Sequence, residues 1–138
     1  MPNIREFPID NGITYGVKPD HRDNTHVKSQ WTITVDEEVL CFRLTCERTW
    51  FLDDRGWGLH LTDGKAQYLG VGLDRNQRLF VARFEGDLPK QYWHGYPADH
   101  VRRADDIPAE AVAGEWIAEG YLPPSKVRKL LKGQRCKL

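Results

Sequence analysis

Between Gln91 and His100 the chain places Tyr92, Trp93, His94, Tyr96, Asp99 and His100, broken by Gly95 and Pro97. Imidazole is the side chain whose unperturbed titration falls near neutrality, so His94 and His100 are the natural proton-handling groups. Asp99 or Glu85 could supply the carboxylate that makes an acid–base pair with His94. Tyr92, Trp93 and Tyr96 offer stacking surface, and Arg102 and Arg103 just downstream favour an anionic partner. Aromatic residues and arginine are the types that dominate binding hot spots. The stretch 91–103 is therefore the expected contact surface of a small binding protein, whose partner is a protein or a small anionic ligand. An enzyme built on His94, His100 and Asp99 is a further alternative. Packing competes with both readings, with Trp93 and Tyr96 fastening C-terminal helices to a sheet while His94 bonds a backbone carbonyl.

A second candidate surface lies at the C-terminus. Lys126, Arg128, Lys129, Lys132, Arg135 and Lys137 follow Tyr121 with no acidic residue among them. Phosphate contact needs little beyond such a patch, which makes nucleic-acid binding or a regulatory role the alternative function. A solvated helix face pairing with Glu110, Glu115 and Glu119 explains the same residues. The chain as a whole carries 20 basic and 20 acidic residues, so long-range attraction to nucleic acid or an anionic membrane is not expected.

Other chemistries find little support. Gly70-Val71-Gly72 has Arg75 where a dinucleotide loop needs its third glycine. It is read instead as a smooth strip beneath a tryptophan ring (Trp31, Trp50 or Trp116) or a flat ligand. Neither Ser29 nor Ser125 sits in a nucleophile-elbow setting. Cys41 and Cys46, on an expected strand, would project to opposite faces, and His21 and His26 lack a second pair at zinc spacing. No metal or cofactor is expected.

The elements that must position these residues change character along the chain. Asp10-Asn11-Gly12 between Ile4–Ile9 and Ile13–Lys18 is a hairpin signal, because Asn and Gly tolerate the positive φ of a type I′ turn. Residues 19–26 are polar and read as an exposed loop. Trp31, Ile33 and Val35 alternate with threonines, and Leu40, Phe42, Leu44 and Cys46 alternate in turn, which predicts a second strand pair. Short alternating runs continue to residue 86, with 78–85 apolar on both faces as in a central strand. Residues 87–107 are expected to be an irregular junction. Val112, Trp116 and Ile117, then Val127, Leu130 and Leu131, fall at helical spacing, closed by Gly120 and Gly133. The fold class is α+β: an antiparallel sheet over about 1–86, then a helical hairpin over 108–133, within one domain.

Length and composition fit that picture. The 138 residues are 40% hydrophobic and 29% charged, with five each of Trp, Tyr and Phe. Three cysteines suit a reducing compartment. The apolar runs are too short for a signal core or a membrane span. A cytoplasmic protein is expected.

Overall fold

A computed structural model describes residues 5–24 and 27–134. The strands are β1 (Arg5–Pro8), β2 (Thr14–Val17), β3 (Gln30–Trp31), β4 (Phe51–Leu52), β5 (Arg55–Gly58), β6 (His60–Thr62), β7 (Lys65–Gln67), β8 (Gly70–Val71), β9 (Arg78–Leu79), β10 (Ala82–Asp87) and β11 (Tyr92–Pro97). The helices are α1 (Val35–Arg48), α2 (Glu110–Ala118) and α3 (Pro124–Leu131). Six strands make the main sheet in the order β1-β2-β11-β10-β5-β4, while β3-β8-β9 and β6-β7 form two small ones. The architecture is α+β and mostly antiparallel, as the alternation and turn signals imply. The exception is β11, which runs parallel to β2 with Tyr92 opposite Thr14 and Trp93 opposite Tyr15.

Local chemistry explains the turns. Asn11 and Gly12 take φ of 65° and 76°, and Ile9 N–H donates to the Ile13 carbonyl at 2.7 Å. The loop thus holds one residue more than a type I′ turn. Asp63 and Gly64, at φ of 53° and 73°, close the two-residue turn between β6 and β7. Gly120 and Gly133 are left-handed, as expected for helix stops. Tyr121 N–H donates to Trp116 O at 3.0 Å, and Gln134 N–H to Lys129 O at 2.9 Å. Both are the six-to-one bond that satisfies a late helical carbonyl.

The second strand pair predicted for residues 30–47 is not formed. Only Gln30–Trp31 is strand, and Val35–Arg48 is a helix of 14 residues. Thr34 and Glu37 make a reciprocal capping box: the Glu37 N–H donates to Thr34 Oγ1 at 3.1 Å, and the Thr34 N–H to Glu37 Oε1 at 2.9 Å. Asp36, Glu37 and Glu38 fill the first turn, where the helix dipole favours anions. Val35, Val39, Phe42 and Cys46 then form one apolar stripe into the core. Leu40 mimicked a strand period, but it lies 62% exposed on the opposite side. Cys41 and Cys46 sit on this helix, and burial pushes their thiols up to about 12 and about 11.

The junction is also more regular than expected, because Tyr92–Pro97 is an interior strand of the main sheet. The polar loop after Lys18 is not wholly exposed either: Pro19–His21 is a 3-10 turn with His21 buried. Pro97 covers Gly70 of the glycine strip, where a Cβ would collide with that ring, and Gln77 and Asp99 lie against Gly72. No tryptophan covers it; Trp31 lies beside Gly70 as its strand partner.

Two apolar clusters flank the main sheet. On one side α1 presses Phe42 against Tyr15, Phe84 and Trp93, at ring distances of 4.8, 5.1 and 5.9 Å. Close approach here needs glycine, because a Cβ on Gly58 would strike Thr45 and Phe84. The other cluster joins Trp50, Trp57, Leu59 and Val81 to Val112, Trp116, Val127 and Leu130 of α2 and α3. Trp116 meets Trp50 edge-on at 5.8 Å and has no exposed surface. Two short helices are marginal alone, so this contact is what keeps them folded. Trp116→Ala should lower the stability of the whole protein by ~3–5 kcal/mol, read as a shift in the urea midpoint. An unchanged midpoint would show that the helical pair is energetically separate from the sheet.

Candidate functional site

Alternation along β11 divides its side chains between two environments. Trp93 and Gly95 face α1, where Phe51 and Phe42 pack on Trp93, and Phe84 and the Tyr15 hydroxyl close over Gly95. Tyr92, His94 and Tyr96 belong to the other face. There the register sets Tyr96 beside Arg83, which neighbours Trp57, and sets His94 beside Glu85, which neighbours Arg55. Tyr96, His94 and Glu85 of these rows floor a cleft of about 400 Å³.

The walls come from two segments. Lys18, Asp20, His21, Lys28 and Ser29 rise from the N-terminal side, and Asp99, Arg102, Arg103 and Asp106 from the segment after β11. Gln30 anchors the first wall, donating from Nε2 to Asp20 O at 2.9 Å and accepting the Asn24 N–H at 2.8 Å. Arg22 strengthens it through Glu38 at 2.8 Å and the Ile33 carbonyl at 2.9 Å. Asp106 anchors the second, accepting the Tyr96 hydroxyl at 2.8 Å and the Asp99 N–H at 2.8 Å. Ser29 spans the two by donating its hydroxyl to Pro97 O at 2.8 Å.

The hydrogen bonds fix the state of the imidazoles. His21 Nδ1 lies 2.9 Å from the Ser29 carbonyl, which can only accept, so Nδ1 carries the proton and Nε2 keeps a lone pair. Its ring stacks on Tyr96 at 5.2 Å. His94 Nε2 stands 3.4 Å from Glu85 Oε2. Burial holds both histidines below the ordinary imidazole range, with Lys18 adding to the effect on His94 and Glu85 opposing it. Both are therefore neutral acceptors at neutral pH. Burial also raises the Tyr96 phenol, with Asp106 reinforcing the effect, and raises the Asp106 carboxyl, which its hydrogen bonds partly counteract.

The sequence candidates separate on this geometry. Tyr96, His94, Asp99, Arg102 and Arg103 converge on the cleft. Trp93 is only 4% exposed and Tyr96 7%, so neither presents a free ring face. Tyr92 is half-buried in an adjoining hollow. His100 is not brought to His94: its Nε2–H donates to Gln134 O at 2.7 Å and ties down the end of α3. Lys126 is half-buried while Arg128, Lys129 and Lys132 are exposed, and Arg135 lies outside the described residues. The expected partner Glu115 stands 3.9 Å from Arg48 rather than from these cations. Sequence reasoning missed His21 and Lys18 as site residues. Pro19 starting a tight turn before His21 was the available signal.

No group of His, Cys, Asp and Glu among the described residues could hold a metal ion. No helix among them is long and apolar enough to cross a membrane.

The histidines make a pH prediction. A base whose pKa is lowered on folding contributes stability above its unfolded pKa, and that stability is lost as pH falls from about 6.5. Glu38 and Asp106, raised by burial, act in the opposite sense, so a global unfolding curve mixes the two. Imidazole NMR titrations should resolve them, with His21, His94 and His100 all showing midpoints below about 6.5. Midpoints at or above that value would contradict the buried environments described.

Compared with models of protein families, with curated proteins and with solved structures, the chain matches none, so its function must be argued from this cleft.

Proposed function

We propose that the protein binds a small anionic ligand in the cleft over His94 and Tyr96. The observation that carries this reading is how the charges there are used. Each carboxylate already has a protein partner: Asp20 faces Lys28 at 3.8 Å, Glu85 faces His94, Asp99 Oδ1 accepts the Arg102 N–H at 3.3 Å, and Asp106 holds Tyr96. Among the described residues Lys18 and Arg102 form no ion pair, and Arg103 lies 5.7 Å over the Tyr96 ring. The lining's cations and carboxylates balance in number, but the carboxylate oxygens are already engaged while Lys18 and Arg102 keep charged donors free for a ligand. The neutral imidazoles add acceptor nitrogens for hydroxyl or amide hydrogens of the same ligand. A concave polar site with buried rings suits a small molecule better than the flat aromatic patch a protein partner would use.

Titration calorimetry with inorganic phosphate, citrate and adipate tests the proposal. At least one anion should bind, and Lys18→Glu with Arg102→Glu should weaken it by about tenfold or more. These exposed or half-exposed changes should leave stability within about 1 kcal/mol. Arg128→Glu on α3 should bind as the wild type does. Binding lost through Arg128→Glu but kept in the cleft variants would move the function to the basic helix, and with it to nucleic acid. Absence of binding by every anion would reject the cleft as an anion site.

A further inference from the structure

One wall of the cleft presents an acceptor whose place is fixed. His21 ends the turn Pro19–His21, and two contacts set its ring. Nδ1–H donates to the Ser29 carbonyl at 2.9 Å, and the ring stacks on Tyr96 with 5.2 Å between centres and 18° between planes. Tyr96 is held in turn, its hydroxyl donating to Asp106 at 2.8 Å and its backbone pairing with Arg83 of β10. His21 Nε2 therefore keeps its lone pair in one direction. Among the described residues it meets no hydrogen-bond partner. The sealed side-chain atoms that lack a partner there are the indole nitrogens of Trp50, Trp57 and Trp116. His21 Nε2 is not one of them, so it is open, and the open space that His21 lines is the cleft.

From this arrangement we infer that the anion bound in the cleft carries a hydroxyl group, as a hydroxy acid or a polyol phosphate does, and that His21 selects it by accepting the hydroxyl hydrogen at Nε2. The inference rests on the anion-binding reading of the cleft. An ionised oxygen finds donors at Lys18 and Arg102, but it has no hydrogen to offer Nε2. A bare anion would strip that nitrogen of water and leave it unpaired, whereas a hydroxyl replaces the water in kind. A site built to bond a hydroxyl rejects the analogue lacking it more strongly than an apolar pocket rejects a missing methylene. A hydroxyl also suits better than an amide N–H, because it can accept as well as donate, and Lys28 on the same wall is a donor. The remaining lining agrees. Among the described residues only Val27 and Leu73 are aliphatic, so a hydrocarbon ligand would find little to cover.

The preference belongs to the neutral ring, since a proton on Nε2 would turn the acceptor into a charged donor. The titratable and charged groups around it are Asp20 and Lys28 of its own wall, His94 and Tyr96 of β11, and Arg103, which lies over the same Tyr96 ring.

Calorimetry on matched pairs tests the inference, comparing D-gluconate with hexanoate and glucose 6-phosphate with inorganic phosphate. In at least one pair the hydroxylated member should bind about tenfold or more tighter. The pair that does so tells a sugar acid from a polyol phosphate. His21→Phe keeps a flat ring for Tyr96 and removes the acceptor. It should abolish the preference and leave the affinity for the bare anion unchanged. Because this variant also loses the Ser29 bond, NMR on the wild type gives a second readout. The 15N signal of His21 Nε2 should move upfield with the hydroxylated member and not with the bare one. His21 should also titrate at lower pH with the hydroxylated member bound than with its bare counterpart, since the hydroxyl favours the neutral ring. Equal affinity within both pairs, a preference that survives in folded His21→Phe, or an Nε2 signal unmoved on binding would overturn the hydroxyl inference while the anion reading stands. Binding by none of these anions would overturn both.

Discussion

The structure depends on one strand being asked for opposite things on its two faces. β11 is bonded antiparallel to β10 along its whole length and parallel to β2 at Tyr92 and Trp93, which holds its backbone in place. Trp93 must be dry against Phe42 and Phe51 while His94, one residue on, must stay in reach of water. Strand alternation delivers both at once. A slip of one residue would bury His94 against the aromatic cluster and push Trp93 into the cleft. The rigidity that the apolar side imposes on β11 is what holds the polar side in register with Arg83 and Glu85.

A buried ionic network carries the same order to the N-terminal wall. Glu38, on α1, has no exposed surface and accepts from both the Tyr15 hydroxyl and the Arg22 guanidinium. Burial raises the carboxyl and these hydrogen bonds pull it back. Such a group is costly unless every lone pair is met, and losing one partner is more damaging than never having had the charge. Its use is geometric. Through Arg22 it fixes the turn that carries His21 against a helix whose own position is set by Phe42, so the cleft wall and the core share one anchor.

How much of this was legible in the chain depends on the range of the signal. The Asn11-Gly12 turn, the Gly120 and Gly133 stops and the apolar stripes of α2 and α3 are decided within a few residues, and sequence reading found them. Helix α1 was also written locally, in Thr34 and Glu37 and in the acidic first turn, but the alternation of Leu40, Phe42, Leu44 and Cys46 outweighed those cues. Leu40 was misleading because an exposed leucine has the same symbol as a buried one. The position of β11 was not local at all. Its rings and histidines marked it as important, yet only pairing with β2 and β10 shows it to be a strand. For the cleft, the C-terminal half was visible in His94, Tyr96, Arg102 and Arg103. Lys18 and His21 join it through a pairing across most of the chain, which no spacing rule reports.

The parallel seam between β2 and β11 bears on how the protein is made. Synthesis releases the β1–β2 hairpin before the rest of its sheet, and a two-stranded hairpin is marginal in water. Its inner edge has no mate until the entire stretch from Lys18 through Gln91 has emerged and β10 has turned back into β11. Closing so long a loop is entropically slow, and contacts of this separation are those that delay folding. The nascent chain therefore carries Tyr15 and Val17 uncovered until β11 is made, in the state where strand edges are open to mispairing. Ribosome-bound intermediates ending before Pro97 would lack both the central seam and the cleft, and the molecule acquires its interior and its candidate site in the same late event.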